Sequence, residues 1–243
     1  MLILAVLPVC TNASDMTEQF AVANDLYEAK QYDSAIVIYH LIENQGTESA
    51  PLYFNLGNAY FRNGDLGRAI LYYHRAKRID PSDDDIAVNL EFARRFTSVQ
   101  MEGVKLNPIS SLFGELVDPY RLSTLAWVTC VFFVFLFMML TLRFGLGFRG
   151  QLVRPGITFA LALLLIMSAL TTLKYNNDYF TQRAVIIAED SVVRTGPSVN
   201  SDKELDASPG LVVEILSESG DFYNVLFENK RQGWIKKDLV AVI

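Results

Sequence analysis

Apolar residues recur along this chain in three different rhythms, each confined to its own stretch. Between residues 17 and 97 the rhythm is helical. Tyr53, Leu56, Gly57 and Tyr60 fall at i, i+3, i+4 and i+7, Asn63-Gly64-Asp65 signals a turn, and Ala69, Tyr73 and Ala76 mark the inner face of a second helix. Asp80-Pro81 ends that helix, because proline has no N–H for the ladder. Residues 122–142 and 155–173 show no period at all: they are runs of 21 and 19 residues without a charge. At ~1.5 Å per residue they predict helices ~32 and ~28 Å long, each about one hydrocarbon core. Pro155 suits a first helical turn, where its missing N–H costs nothing. After Lys174 the runs become short and β-like. Strands are predicted at 184–187, 192–194, 211–216, 223–227 and 232–235, separated by turn signals such as Gly196-Pro197 and Ser208-Pro209-Gly210.

These rhythms divide the chain into a signal segment (1–14), an all-α repeat part (15–100) and a juxtamembrane linker (101–121). A membrane hairpin follows (122–142 and 155–173, joined by 143–154), then a small all-β part (174–243). Within the linker, Ile109, Leu112, Phe113, Leu116 and Val117 form an i, i+3, i+4, i+7, i+8 stripe. It suits a short interfacial helix or one packed on the last repeat helix. The hairpin loop holds Arg143, Arg149 and Arg154 and no acid, so it should stay cytoplasmic, with both larger parts on the opposite side. The apolar run 2–9, with small residues up to Ala13, is the expected export signal.

Composition narrows the function. Hydrophobic residues make up 51% of the chain, which excludes disorder. The net charge of −6 argues against a nucleic-acid partner, which needs a basic face. Cys10 and Cys130 both lie in apolar segments, leaving neither a disulfide framework nor a Cys–His nucleophile. His40 and His74 lack ligand-spaced companions, so no metal site is expected. Gly145 to Gly150 spells GxGxxG, but it follows a membrane helix where a dinucleotide fingerprint needs a strand; the glycines serve a chain reversal. No catalytic set and no cofactor site is expected.

The spacing of Tyr53, Leu56-Gly57, Tyr60, Ala69, Tyr73, Ala76 and Pro81 resembles the tetratricopeptide repeat. A looser copy precedes it, with Phe20, Ala23, Asn24 and Tyr27 in the first-helix roles and Ala35, Tyr39 and Ile42 in the second. Read this way, Asn24 stands where glycine is usual, and the first copy's inter-helix turn is one residue shorter. A third copy stops after one helix carrying Ala87, Leu90 and Arg94, and reads as a cap. The resemblance implies a concave groove lined by first helices. Its candidates here are Asp25, Phe54, Asn55, Asn58, Phe61, Arg62 and Asn89; the alternative is that they only solvate a helix face. Asn55 and Asn89 suit a clamp for a C-terminal carboxylate, but Asp25 and Asp85 depart from it.

Val192 to Ser198, Gly210 to Val213 and Gly233-Trp234-Ile235 resemble the bacterial SH3-like domain, with Phe222 where tryptophan is common. That resemblance implies a small barrel and a ligand-binding aromatic groove of Phe222, Tyr223 and Trp234, or else a core role for the same rings. The order of parts is similar to the BatE-like proteins of aerotolerance operons. This implies a non-catalytic, two-pass inner-membrane scaffold with both soluble parts periplasmic. The implied partners are von Willebrand factor A-domain proteins and a MoxR-type ATPase. The alternative is a sensor whose barrel binds peptidoglycan.

Overall fold

Among the described residues, three N-terminal helices begin on a side chain that satisfies otherwise unpaired N–H groups. Ser49 accepts from the Leu52 amide, Asp65 from Arg68, and Asp83 from both Asp85 and Ile86. The computed structural model describes residues 13–97, 117, 119–147, 150, 151 and 153–243. The helices are α1 (Ala13–Glu28), α2 (Tyr32–Asn44), α3 (Ala50–Arg62), α4 (Leu66–Ile79) and α5 (Asp84–Arg94). The expected signal run 2–9 and the linker stripe, Val117 excepted, lie outside the described residues.

Successive helices pack as antiparallel pairs around Ala23, Ala35, Tyr39, Leu56, Ile70, Tyr73 and Ile86, all essentially inaccessible. The structure corrects the register of the first copy. The turn before α2 is not shorter: Lys30 (φ +61°) occupies the left-handed position that Gly64 (φ +86°) holds thirty-four residues later. Ala23 is therefore the partner of Gly57, and Asn24 the partner of Asn58. Lys30 bears the strain of a Cβ in a left-handed turn, about 1–2 kcal/mol, partly offset by the flexibility glycine would add to the unfolded chain. Lys30→Gly is expected to raise stability by about 1 kcal/mol, read as a higher urea midpoint at unchanged slope.

Two helices long and apolar enough to cross a membrane follow: α6 (Leu122–Leu140), continued by a π-helical turn at Thr141–Gly145, and α7 (Val153–Tyr179). They pack on each other and leave most of their apolar surface uncovered. Ala160, fully buried, permits the close approach, and the Thr129 and Thr171 hydroxyls meet at 3.0 Å across the pair. α7 runs past the expected boundary at Leu173. Lys174 does not end the helix: it is only 8% exposed and pairs with Asp178 one turn on, at 3.3 Å.

The C-terminal part is one antiparallel sheet of seven strands: β1 (Arg183–Ile186), β2 (Ser191–Arg194), β3 (Lys203–Ala207), β4 (Val212–Ser219), β5 (Phe222–Phe227), β6 (Gln232–Lys236) and β7 (Val240–Val242). The order across the sheet is β3-β2-β6-β5-β4-β1-β7. Five strands were expected. The two additional ones are the edges: β3 is a mostly exposed Lys-Glu-Leu-Asp-Ala, and β7 has three residues. Edge strands carry charge and little length, which removes the apolar signal that sequence reading relies on. Ala184, Ile186, Val193, Val213, Val225, Phe227 and Ile235 form the sheet's own core.

The repeat part and the sheet are not independent bodies. Ala184 and Ile186 of β1 face the sheet core, while Val185 between them joins the core of the helices, as period-two alternation dictates. Gly67 of α4 lies against backbone: a Cβ there would sit 2.8 Å from the Ile187 Cα and 2.9 Å from the Ile186 oxygen. Gly210 meets the Ile70 side chain equally closely. Around this contact Arg75 donates to the Val242 carbonyl at 3.1 Å, Arg78 to that of Ile243 at 2.8 Å, and Arg94 pairs with Glu228 at 3.1 Å.

Candidate functional site

Three of the first-helix candidates, Asn55, Asn58 and Asn89, are joined to a polar ladder rather than pointing freely into a groove. The Tyr39 hydroxyl donates to Asn24 Oδ1 at 2.7 Å, and Asn55 Nδ2 donates to the same oxygen at 2.9 Å. Thirty-four residues on, Tyr73 donates to Asn58 Oδ1 at 2.7 Å and Asn89 to the same oxygen at 3.0 Å. Each asparagine oxygen thus ties the second helix of its own repeat to the first helix of the next. Burial disfavours the phenolates and pushes the Tyr39 pKa up to about 12, so both tyrosines remain donors at any physiological pH. A register one residue out in the first copy conceals this ladder. Its signal is plain in the repeated spacing of Asn24/Asn58, Tyr39/Tyr73 and Asn55/Asn89.

Residues 50–83 match the tetratricopeptide repeat family. No curated protein matches the chain. The tetratricopeptide repeat is a protein-interaction module. Asp25 and Arg62 are exposed, while Phe54 and Phe61 are half-buried. Phe54 lies 6.0 Å from Tyr73, ring to ring. Phe61 packs on Phe92 and Phe96, each at 5.6 Å, yet those two rings are 49% and 55% exposed. They were missed in the sequence. Val88, Phe92 and Phe96 follow one another at i+4 and make a second apolar stripe along α5 and the turn after it, beside the buried stripe of Ile86, Leu90 and Ala93. A cap carries polar residues on its outward face; α5 exposes Val88 and Phe92 as well as charged residues.

Of the three rings predicted for the sheet, Phe222 and Trp234 share a face and Tyr223 lies on the other. Phe222 and Tyr223 are consecutive on β5 and alternate in direction. The register sets Tyr223 opposite Ile235, on the core side, and Asn224 opposite Trp234. Tyr223 packs at the edge of the sheet core, and Phe222 is only 7% exposed. Trp234 is half-buried on the other face.

His74 lines a cleft between α4, the end of α7 and the sheet. Its Nε2 is buried without a partner among the described residues. Burial, then repulsion from Arg94, Lys77 and Arg183, lowers its pKa from 6.5 to about 3. The unfolded chain therefore binds a proton that the folded chain refuses. The stability from a neutral His74 is complete above pH 6.5 and is lost as pH falls towards 3. Lowering the pH from 7 to 5 is expected to cost the wild type up to about 2 kcal/mol more than His74→Phe, measured by urea denaturation at both pH values.

Proposed function

We propose that this protein is a non-catalytic membrane scaffold: the hairpin α6–α7 spans an inner membrane, and the repeat groove holds a protein partner on the periplasmic side. The observation that carries the reading is the shared core of α4 and β1. Chain segments before and after the hairpin can touch only on one side of a bilayer, which requires two crossings, and the arginine loop 143–154 belongs on the cytoplasmic side. The uncovered apolar surface of both helices agrees, since soluble chains rarely expose such a patch. The sheet is read as an SH3-like barrel whose first role is to brace the repeats. The order of parts supports a BatE-like complex, with von Willebrand factor A-domain proteins at the groove and a MoxR-type ATPase reached from the cytoplasmic side.

The groove is assigned to Phe61, Phe92 and Phe96 with Phe54, Asp25 and Arg62 alongside. Phe92→Asp with Phe96→Asp in the full-length chain is expected to abolish co-purification of von Willebrand-domain proteins from crosslinked native membranes. The thermal midpoint should stay within a few degrees of wild type, because both rings are half-exposed. Undiminished capture by the double variant would refute the groove. The rival reading as a peptidoglycan sensor needs an aromatic groove in the sheet, and Tyr223 and Trp234 face opposite ways.

A further inference from the structure

The cleft beside His74 has a volume of about 460 Å³ and lies where the repeats, the sheet and the last turns of α7 meet. Its lining draws cations from five segments of an otherwise acidic chain: Lys77 and Arg78 (α4), Arg94 (α5), Lys174 (α7), Arg183 (β1) and Lys230 (the β5–β6 turn). Three carboxylates also line it. Asp178 is engaged by Lys174 and Glu228 by Arg94. Glu214 sits directly across from Arg183 in the β1–β4 register. Arg78 donates to the Ile243 oxygen at 2.8 Å, and Lys77 and Lys230 remain without a side-chain carboxylate among the described residues. Cations gathered in a recess with low-dielectric walls repel one another, and an anion entering it removes that repulsion.

We propose that this cleft binds a phosphate group, supplied either by an anionic phospholipid headgroup or by a small soluble phosphate. Phosphate fits the donors better than a carboxylate does: its oxygens can accept from ammonium and guanidinium groups arriving from several directions. The neutral His74 imidazole adds polarity without adding charge. The position favours a lipid. Lys174 and Asp178 lie directly after the apolar run ending at Leu173, so the cleft mouth stands at headgroup level if the hairpin spans the bilayer. The lipid source alone rests on the proposed membrane topology; the soluble source does not.

The test uses full-length protein. One arm places it in nanodiscs of phosphatidylcholine with and without phosphatidylglycerol, and the other titrates inorganic phosphate against protein in detergent. Both read the thermal midpoint, with native mass spectrometry counting retained lipid. The cleft variant is Lys77→Gln with Lys230→Gln; Lys236→Gln, exposed on β6, controls for charge. Wild type and K236Q are expected to gain several degrees with one of the two probes, and the responding arm names the source. The cleft variant should bind that probe about tenfold more weakly or worse. No gain from either probe, or equal gains in the cleft variant and wild type, overturns the proposal. A silent lipid arm beside a responsive phosphate arm removes only the lipid source. Phe92→Asp with Phe96→Asp leaves both arms unchanged, which keeps this result separate from that of the groove.

Discussion

Tyr73→Ala is expected to unfold the repeat part. The ring is 2% exposed and fills the space that Gly57 leaves open, where even a Cβ would stand 2.6 Å from it. Its hydroxyl holds Asn58 in the ladder. Truncating a buried aromatic side chain costs about 3–5 kcal/mol, and a domain's whole stability is about 5–15 kcal/mol. With two full repeats and one further helix among the described residues, little remains to absorb the loss. Far-ultraviolet circular dichroism should show the midpoint falling by well over ten degrees. Tyr73→Phe separates the two contributions. It keeps the packing, and Asn89 still donates to Asn58, so the cost should be about 1 kcal/mol. A Tyr73→Phe loss as large as that of Tyr73→Ala would show that the hydrogen bond, not the ring, holds the helices together.

Gly67→Val is expected to separate the sheet from the repeats while leaving each folded. The atoms a side chain would strike belong to the backbone of residues 186 and 187, which leave β1 and cannot rotate away as a side chain can. Overpacking of this kind costs about 1–3 kcal/mol. Here the strain is relieved by parting the two surfaces, because the sheet has its own core and the helices have theirs. Arg75, Arg78 and Arg94 lose their partners across the joint at the same time. Limited proteolysis should then cut near residues 180–182 in the variant and spare the wild type, while Val193, Val225 and Ile235 amides keep their slow hydrogen exchange. Loss of that protection would mean that the sheet depends on the helices to fold.

Much of the architecture was legible in the residues. Helical spacing around Tyr53–Ala76, charge-free runs of membrane length, and β-rich runs between glycine and proline turns each report a local rule, so they survive without knowledge of the fold. The repeat candidates were partly legible. Period alone placed Asn55, Asn58 and Asn89 on first helices, but a one-residue error in the first copy hid that three of them and Asn24 share two acceptor oxygens. β3 and β7 escaped because an edge strand is chosen by the neighbour it pairs with and not by its own apolar content.

By itself, the sequence determined the repeat helices, the inner strands and the apolar spans, because those follow from side-chain periodicity and turn chemistry over a few residues. Only the tertiary structure decided that Phe92 and Phe96 stay uncovered, that Tyr223 and Trp234 part company, and that α4 and β1 share one core around a cationic cleft. Each of those depends on which surface meets which, across more than a hundred residues of chain in the last case. Packing energy of that kind belongs to pairs of distant faces, and no local pattern records it.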